Sequence, residues 1–430
     1  RRQSHAPACR RRRHRGDARR GLGPPVTASA TAGLRAEIGR LSLLGFALLF
    51  AILSLSLGWL VAGLLNSWWW HPPGFVNAGG AIVGRDFVAL WSAASLALGG
   101  APAAGYDQSL IHAAEQTAIG APVGITTWYY PPSFLLLVLP LALLPYLAAA
   151  VLWVAGTFAA FARVLQRIAP HPLTGFAALI FPATAQCLIS GQNGTLTAAL
   201  IAGGLLSLER RPLLSGLCWG LLTYKPQMAM AAFVALAFGR YWRVLGIAIG
   251  VAVVLGIASL AIFGLEPWLA FVRDLGEARA MLEAGRVPWD RMATVFASAR
   301  LAGLGVTGAY ALQIAVSLPA LAMLAQIWWR RAPLPLAGSL LVLSIPLVTP
   351  YAYDYDLVML LLPVAWLLQE ARATGFRPGE PALLIAAWAL PVLGKFIAEA
   401  TALQPTWPIL FLLLMTTWRR ASLSALSARS

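Results

Sequence analysis

The stretch LSLLGFALLFAILSLSLGWLVAGLLN, residues 41–66, carries no charged side chain and is long enough to cross a bilayer as one helix. Trp68, Trp69 and Trp70 follow it, as interfacial aromatics follow a span. Comparable apolar runs recur to the end of the chain. Of the 430 residues, 59% are hydrophobic and 11% charged, and the mean hydropathy is +0.72. A soluble chain of this length carries about 25% charged residues. The chain therefore reads as an all-α polytopic membrane protein. Its net charge of +16 does not point to nucleic acid, because much of it sits in the first forty residues and in short basic clusters between spans. Cys9, Cys187 and Cys218 lack the spacing of a metal site or a disulfide framework, so no metal is expected.

Residues 1–40, with the basic run Arg10–Arg13, read as a disordered cytoplasmic tail, and residues 421–430 as a second tail. Between them, spans are expected at 41–66, 146–161, 173–190, 195–208, 212–224, 227–239, 244–264, 306–329, 334–349, 357–370, 381–397 and 405–418. That makes about twelve membrane helices, with both termini inside. The parity rests on the Arg pairs that flank the spans. To keep them all inside, residues 131–145, broken by Pro140 and Pro145, must not cross. Two long outer segments result, at about 67–130 and 266–304. The first carries short amphipathic helices at 86–98 and 106–119, expected to lie on the membrane surface. Under this topology most of the acids fall outside.

Asp86, in Gly84-Arg85-Asp86-Phe87, is the first acid after the first span. A carboxylate at a helix start can cap free backbone N–H groups or serve as a general base. Asp107 has the same two readings, with capping favoured. Trp128-Tyr129-Tyr130-Pro131-Pro132 offers interfacial anchors or a platform for a sugar ring. Gln192 and Asn193 can satisfy helix ends or bind sugar hydroxyls. Lys225, in Lys225-Pro226-Gln227, snorkels to an interface or holds a lipid phosphate. Thr349 to Asp356 is the densest polar-aromatic cluster, where Asp354 and Asp356 can bind a metal or sugar hydroxyls, or cap the next span. No phosphate loop, zinc-hydrolase or serine-hydrolase motif is present.

Taken in order, several of these pieces resemble the polytopic GT-C glycosyltransferases, and specifically glycosyltransferase family 87, the polyprenol-phosphate-mannose-dependent mannosyltransferase-like proteins. They are Gly84-Arg85-Asp86-Phe87 with Trp91, Tyr130-Pro131-Pro132, Pro140 to Pro145, Gly191-Gln192-Asn193, Gly216 to Gly220 with Lys225-Pro226-Gln227, and Thr349-Pro350 with Tyr355-Asp356-Leu357. The resemblance covers residues 41–420. It implies a metal-independent, inverting transfer of a hexose, mannose among the candidates, from a polyprenyl-phosphate donor to a lipid or glycan acceptor. The transfer takes place on the extracytoplasmic face of the cell membrane, with no cofactor beyond the lipid-linked co-substrate. Asp86 is then the general base, and Lys225 with Arg85 serve the donor phosphate. Trp91, Tyr129, Tyr130, Gln192, Asn193, Gln227, Tyr353, Asp354 and Asp356 are expected to contact substrate. Tyr351 stands where related sequences often place a His, which removes any His-dependent role there.

Two other classes fit an apolar chain of this kind. A transporter or flippase of a lipid-linked sugar would show ionisable residues at mid-membrane depth and an internal repeat, and neither is evident. An inactive structural subunit of polysaccharide assembly is separated from an enzyme only by activity.

Overall fold

The computed structural model describes residues 28–427. In chain order the helices are α1 (Ala28–Ser67), α2 (Phe87–Leu98), α3 (Gln108–Ile119), α4 (Pro132–Val138), α5 (Tyr146–Ile168), α6 (Thr174–Ile180), α7 (Pro182–Ser190), α8 (Gly194–Ser207) and α9 (Pro212–Leu221). They continue with α10 (Pro226–Phe238), α11 (Trp242–Phe263), α12 (Glu266–Ala284), α13 (Val295–Leu301), α14 (Val306–Trp329), α15 (Leu334–Val348), α16 (Leu361–Thr374), α17 (Glu380–Thr401) and α18 (Thr406–Ser427). Among the described residues there is no strand, only isolated bridges. Six helical stretches are long and apolar enough to cross a membrane: Phe50–Ser67, Tyr146–Ile168, Trp242–Phe263, Val306–Trp329, Asp354–Thr374 and Glu380–Thr401. The protein is an all-helical membrane protein.

Prolines explain most departures from the expected spans. The apolar run at 173–190 is cut into α6 and α7 because Pro182 cannot continue the preceding turn. Pro182, Pro212 and Pro226 each open a helix, where the missing N–H costs nothing. Residues 131–145 form α4 and a 3-10 turn, Leu139–Leu143, that ends before Pro145. Twelve residues of this geometry reach about 20 Å, short of the roughly 30 Å hydrocarbon core. At the termini, α1 begins at Ala28, inside the segment expected to be structureless, and residues 1–27 lie outside the described residues. Helix α18 likewise runs through the first part of the expected second tail, to Ser427.

Close packing rests on small residues. Gly216 and Gly220 of α9, one turn apart, face Ile247 and Val251 of α11, and a Cβ at either would come within 2.5 Å of the facing Cβ. In a bilayer, dispersion at such contacts takes the place of the hydrophobic effect between helices. The same logic seats Gly204 of α8 against the indole of Trp219.

At another point the structure depends on one buried charge. Arg420 of α18 is 2% exposed. It donates to Thr374 Oγ1 (2.6 Å), to Gly375 O (2.8 Å) and to Glu380 Oε2 (2.7 Å). It thereby closes the orphan carbonyls at the end of α16 and ties that end to the start of α17 and to α18. Arg420→Ala leaves Glu380 buried and unpaired, and we expect a loss of about 3–5 kcal/mol. The thermal midpoint of purified protein in detergent is the measurement.

Candidate active site

The first long loop folds into a core of its own. Phe87, Val88, Leu90 and Ala93 are fully buried, with Ile111, Trp128, Phe134 and Tyr146 in the same cluster. Helix α2 is thus covered on nearly all sides, not laid with one face on a membrane surface as the periodicity suggested. Asp107 caps α3 by accepting from Ser109 N (2.9 Å) and Leu110 N (3.1 Å). These bonds, with that from the Ser109 hydroxyl, hold its carboxyl below the usual range.

Asp86 stands at the corresponding position of α2 and behaves differently. Its backbone is already helical (φ −95°, ψ −19°), and its side chain makes no capping hydrogen bond. The capping reading of Asp86 is corrected: with αR geometry the carboxylate does not turn back over the first N–H groups. Its backbone N–H donates to Ser190 O (2.7 Å), and the Tyr146 hydroxyl donates to Val83 O (2.6 Å) just upstream. Positive φ at Gly84 (61°) makes that corner. The corner is clamped while the carboxylate, 13% exposed, meets among the described residues only Arg85 Nε, at 3.7 Å. Arg85 itself is 63% exposed.

Opposite this corner lies the tight turn Ser190–Gly194 between α7 and α8. Gly191 is left-handed (φ 74°), and its carbonyl accepts from Trp153 Nε1 (3.1 Å). Asn193 is fully buried and donates from Nδ2 to the Tyr130 hydroxyl (2.7 Å). Its Oδ1 is buried and has no hydrogen-bond partner among the described residues, which is rare for a buried amide. Tyr130 packs on Phe134 and Trp128. Burial lifts its hydroxyl pKa well above the usual tyrosine range, and the charges of Asp356 and Asp86 add to the lift.

The turn's far side touches the tyrosine-rich cluster. A Cβ on Gly194 would overlap the carbonyl oxygen of Tyr355, which also accepts from Cys187 Sγ (3.4 Å). Here the 3-10 turn Asp354–Leu360 presents two acids, each with a cation. Lys225 Nζ lies 2.5 Å from Asp356 Oδ1, and Arg291 grips Asp354 with Nε (2.9 Å) and Nη2 (3.0 Å). Asp356 Oδ2 accepts from Tyr353 N (3.0 Å) and Asp354 Oδ1 from Tyr355 N (2.8 Å). Asp354 and Asp356, expected among the substrate contacts, thus spend their oxygens on ion pairs and on their own turn. Among the described residues no group of three or more His, Cys, Asp or Glu side chains converges.

Other expected contacts scatter. Trp91 gives its indole N–H to Leu144 O (3.2 Å) and packs edge-on to Tyr146, as a structural pin. The Tyr129 hydroxyl donates to Met281 Sδ (3.2 Å) on α12. Gln192 accepts from Asn193 N (3.3 Å), and Gln227 lies half-buried in the first turn of α10. The Tyr353 ring stacks on Tyr355. Asp86, Tyr130, Asn193, Lys225, Asp354 and Asp356 are brought around the turn Ser190–Gly194. Trp91 and Tyr129 make their side-chain hydrogen bonds outside that turn.

Comparison with family models decides the class. That of glycosyltransferase family 87 matches residues 128–350, more than half of the chain. The chain belongs to glycosyltransferase family 87. It is a membrane glycosyltransferase. No curated protein and no solved structure matches it. Of the cluster, Tyr130, Asn193, Lys225 and Arg291 lie inside the matched segment, whereas Asp86, Asp354 and Asp356 lie outside it.

Two residues of this family 87 chain escaped the sequence reading. Arg291 had only its place in a loop of mixed charge to mark it. Glu115 is fully buried on α3 and accepts from Thr126 N with both oxygens (3.2 and 3.0 Å). The Thr126 hydroxyl in turn reaches Arg85 O at 3.4 Å, next to Asp86. Only its place on the inner face of an amphipathic helix could have singled Glu115 out.

Burial pushes the Glu115 carboxyl up to about 7, against the smaller opposing effect of the Thr126 hydrogen bonds. Its titratable neighbours are His112, with Nδ1 at 3.7 Å, and Tyr146. A raised folded-state value means that the native protein holds this proton more tightly than the unfolded chain. Its stabilising share is complete below the unfolded value and is lost as pH rises through about 7. The melting temperature of the wild type is expected to fall between about pH 5 and pH 7 relative to Glu115→Gln, which keeps an acceptor for Thr126 N and does not titrate. Parallel melting curves across that range are the check.

Proposed function

We propose that this protein transfers a hexose, with mannose as the first sugar to test, from a polyprenyl-phosphate carrier to a lipid or glycan acceptor on the extracytoplasmic face of the cell membrane. The proposal includes about twelve crossings with both termini inside, the shorter helices completing the bundle by packing against longer neighbours. The observation that carries it is the pairing of a clamped, uncapped carboxylate with an apolar groove that begins one residue from a buried cation. The groove, about 450 Å³, is lined by Thr223, Pro226, Ala229, Phe233, Val234 and Ala237. All but Thr223 lie on α10, 13 residues long, which runs about 20 Å. Such a groove suits an isoprenoid chain whose head lies near Lys225 and whose tail runs between helices.

The chemistry follows from that placement. The acceptor hydroxyl attacks the anomeric carbon from the face opposite the phosphate. The new C–O bond forms as the bond to the phosphate oxygen breaks, and its electron pair leaves with the lipid phosphate. Asp86 takes the hydroxyl proton late in the step, so an ordinary carboxylate basicity serves. The phosphate is a good leaving group that needs a cation, not a second acid of the kind a hydrolase uses. Asn193, with its unpartnered Oδ1 beside the Tyr130 hydroxyl, is suited to accept from a sugar hydroxyl.

Asp86→Asn keeps the shape of the side chain and removes its basicity. Turnover with a polyprenyl-phosphate sugar should fall by roughly 10²–10⁴-fold, with the donor KM near the wild-type value. Near-wild-type turnover would remove Asp86 from the mechanism. Ala237→Phe, which fills the deep end of the groove, is expected to raise the KM of a long-chain donor several-fold and to spare a short-chain analogue. Equal effects on both donors would place the lipid chain elsewhere.

A further inference from the structure

Lys225 cannot by itself answer the charge of a lipid phosphate. It is 5% exposed, and its ammonium is already matched by Asp356 at 2.5 Å. The face of Tyr355 covers it further, with the ring centroid 5.4 Å away. Arg85, the other expected partner, is largely in solvent, and among the described residues only Asp86 pairs with its side chain. A phosphate leaving from the face of the sugar opposite Asp86 gains negative charge as it departs, and a third cation with donors to spare would answer that charge.

Arg291 meets that description. It ends the 3-10 turn Trp289–Arg291, and the chain around it is fixed on both sides. Met292 bridges Tyr353, Ala293 N donates to Ala352 O (3.0 Å), and Gln404 Nε2 donates to Asp290 O (2.8 Å). Asp354 takes only the Nε–Nη2 edge of the guanidinium. Among the described residues Nη1 has no hydrogen-bond partner, and the side chain is 17% exposed. The second edge, Nη1 with the remaining N–H of Nη2, is therefore a free fork of the kind that takes two phosphate oxygens.

The elements that carry Asp86 and Arg291 pack on opposite ends of the turn Ser190–Gly194, as an in-line transfer between a base and a leaving group requires. Asp86 N bonds Ser190 O at one end of the turn Ser190–Gly194, and Gly194 abuts Tyr355, the neighbour of Asp354, at the other. Burial works against the Arg291 charge, but the Asp354 hydrogen bonds and charge, with Asp86 adding, more than offset it and hold the guanidinium protonated. Asp354 thus orients the cation without saturating it.

We propose that the Nη1–Nη2 edge of Arg291 is the binding site for the phosphate of the lipid-linked donor and of the lipid-phosphate product, with Asp354 as the residue that positions it. The assignment rests on the lipid-phosphate reading above and adds to it a residue from the second long segment. Lys225 then acts through the tyrosine-rich turn by anchoring Asp356.

Phenylglyoxal labelling of the wild-type protein in detergent, read by mass spectrometry at Arg291, tests the site without a mutation. Polyprenyl phosphate should suppress the Arg291 adduct, whereas the neutral polyprenol should not. Equal labelling with both lipids would overturn the assignment. In parallel, Arg291→Lys keeps the charge for Asp354 and loses the fork, and the Arg291→Gln/Asp354→Asn pair removes both charges at similar volume. Each should raise the donor KM and the inhibition constant of polyprenyl phosphate by roughly 10–100-fold, with a melting temperature that shows a folded protein. Unchanged constants in folded variants would overturn the Arg291 site alone. A wild-type protein that neither transfers from nor binds a lipid phosphate would overturn the donor class and this site together.

Discussion

The site depends on two close approaches of backbone at one turn. Gly191 lets α7 end in a left-handed residue whose Cα lies against Phe87, where any Cβ would come within 2.6 Å of the Phe87 Cβ. Gly194, three residues on, starts α8 against the carbonyl of Tyr355. No side chain fits between these backbones, so the corner bearing Asp86 and the turn bearing Asp354 and Asp356 are brought to opposite sides of four residues. The indoles of Trp153 and Trp68 donate to carbonyls at Gly191, Leu188 and Ile189 and fix the turn from outside.

Electrostatics then act on a frame already set. Two acids on one 3-10 turn, each paired with a cation from a different part of the chain, bring Lys225 and Arg291 to the same place. Buried pairs of this kind contribute little net stability, because desolvation offsets the attraction, but breaking one leaves a bare charge in a poor solvent. Their value here is positional. They fix where the remaining cationic edge points and leave Asp86 as the carboxylate of the cluster with no strong partner.

Much of this was legible in the chain, and the parts that were not share a cause. The apolar helices, the two short helices after the first span, the Asp107 cap and the break at Pro140 and Pro145 all follow from composition, spacing and proline geometry. They depend on neighbours within a turn or two. The capping reading of Asp86 failed because it needs the backbone angles of one residue, which Gly84, Tyr146 and Ser190 set from three separate segments. The ion pairs that hold Asp354 and Asp356 were hidden for a similar reason. Their partners lie 63 and 131 residues away.

By itself, the sequence determined the class of the protein: an apolar helical chain with recurrent candidate spans, a carboxylate past the first span, and an ordered set of motifs that resembles glycosyltransferase family 87. These are properties of local composition and order, and a bilayer solvent leaves few alternatives for such a chain. Only the tertiary structure decided which charges are spent and which are free. Lys225, Asp354 and Asp356 are held in buried ion pairs across long sequence separations, which no local pattern announces. Among the described residues Asp86 and one edge of Arg291 have no stronger partner, and the turn Ser190–Gly194 stands between their elements.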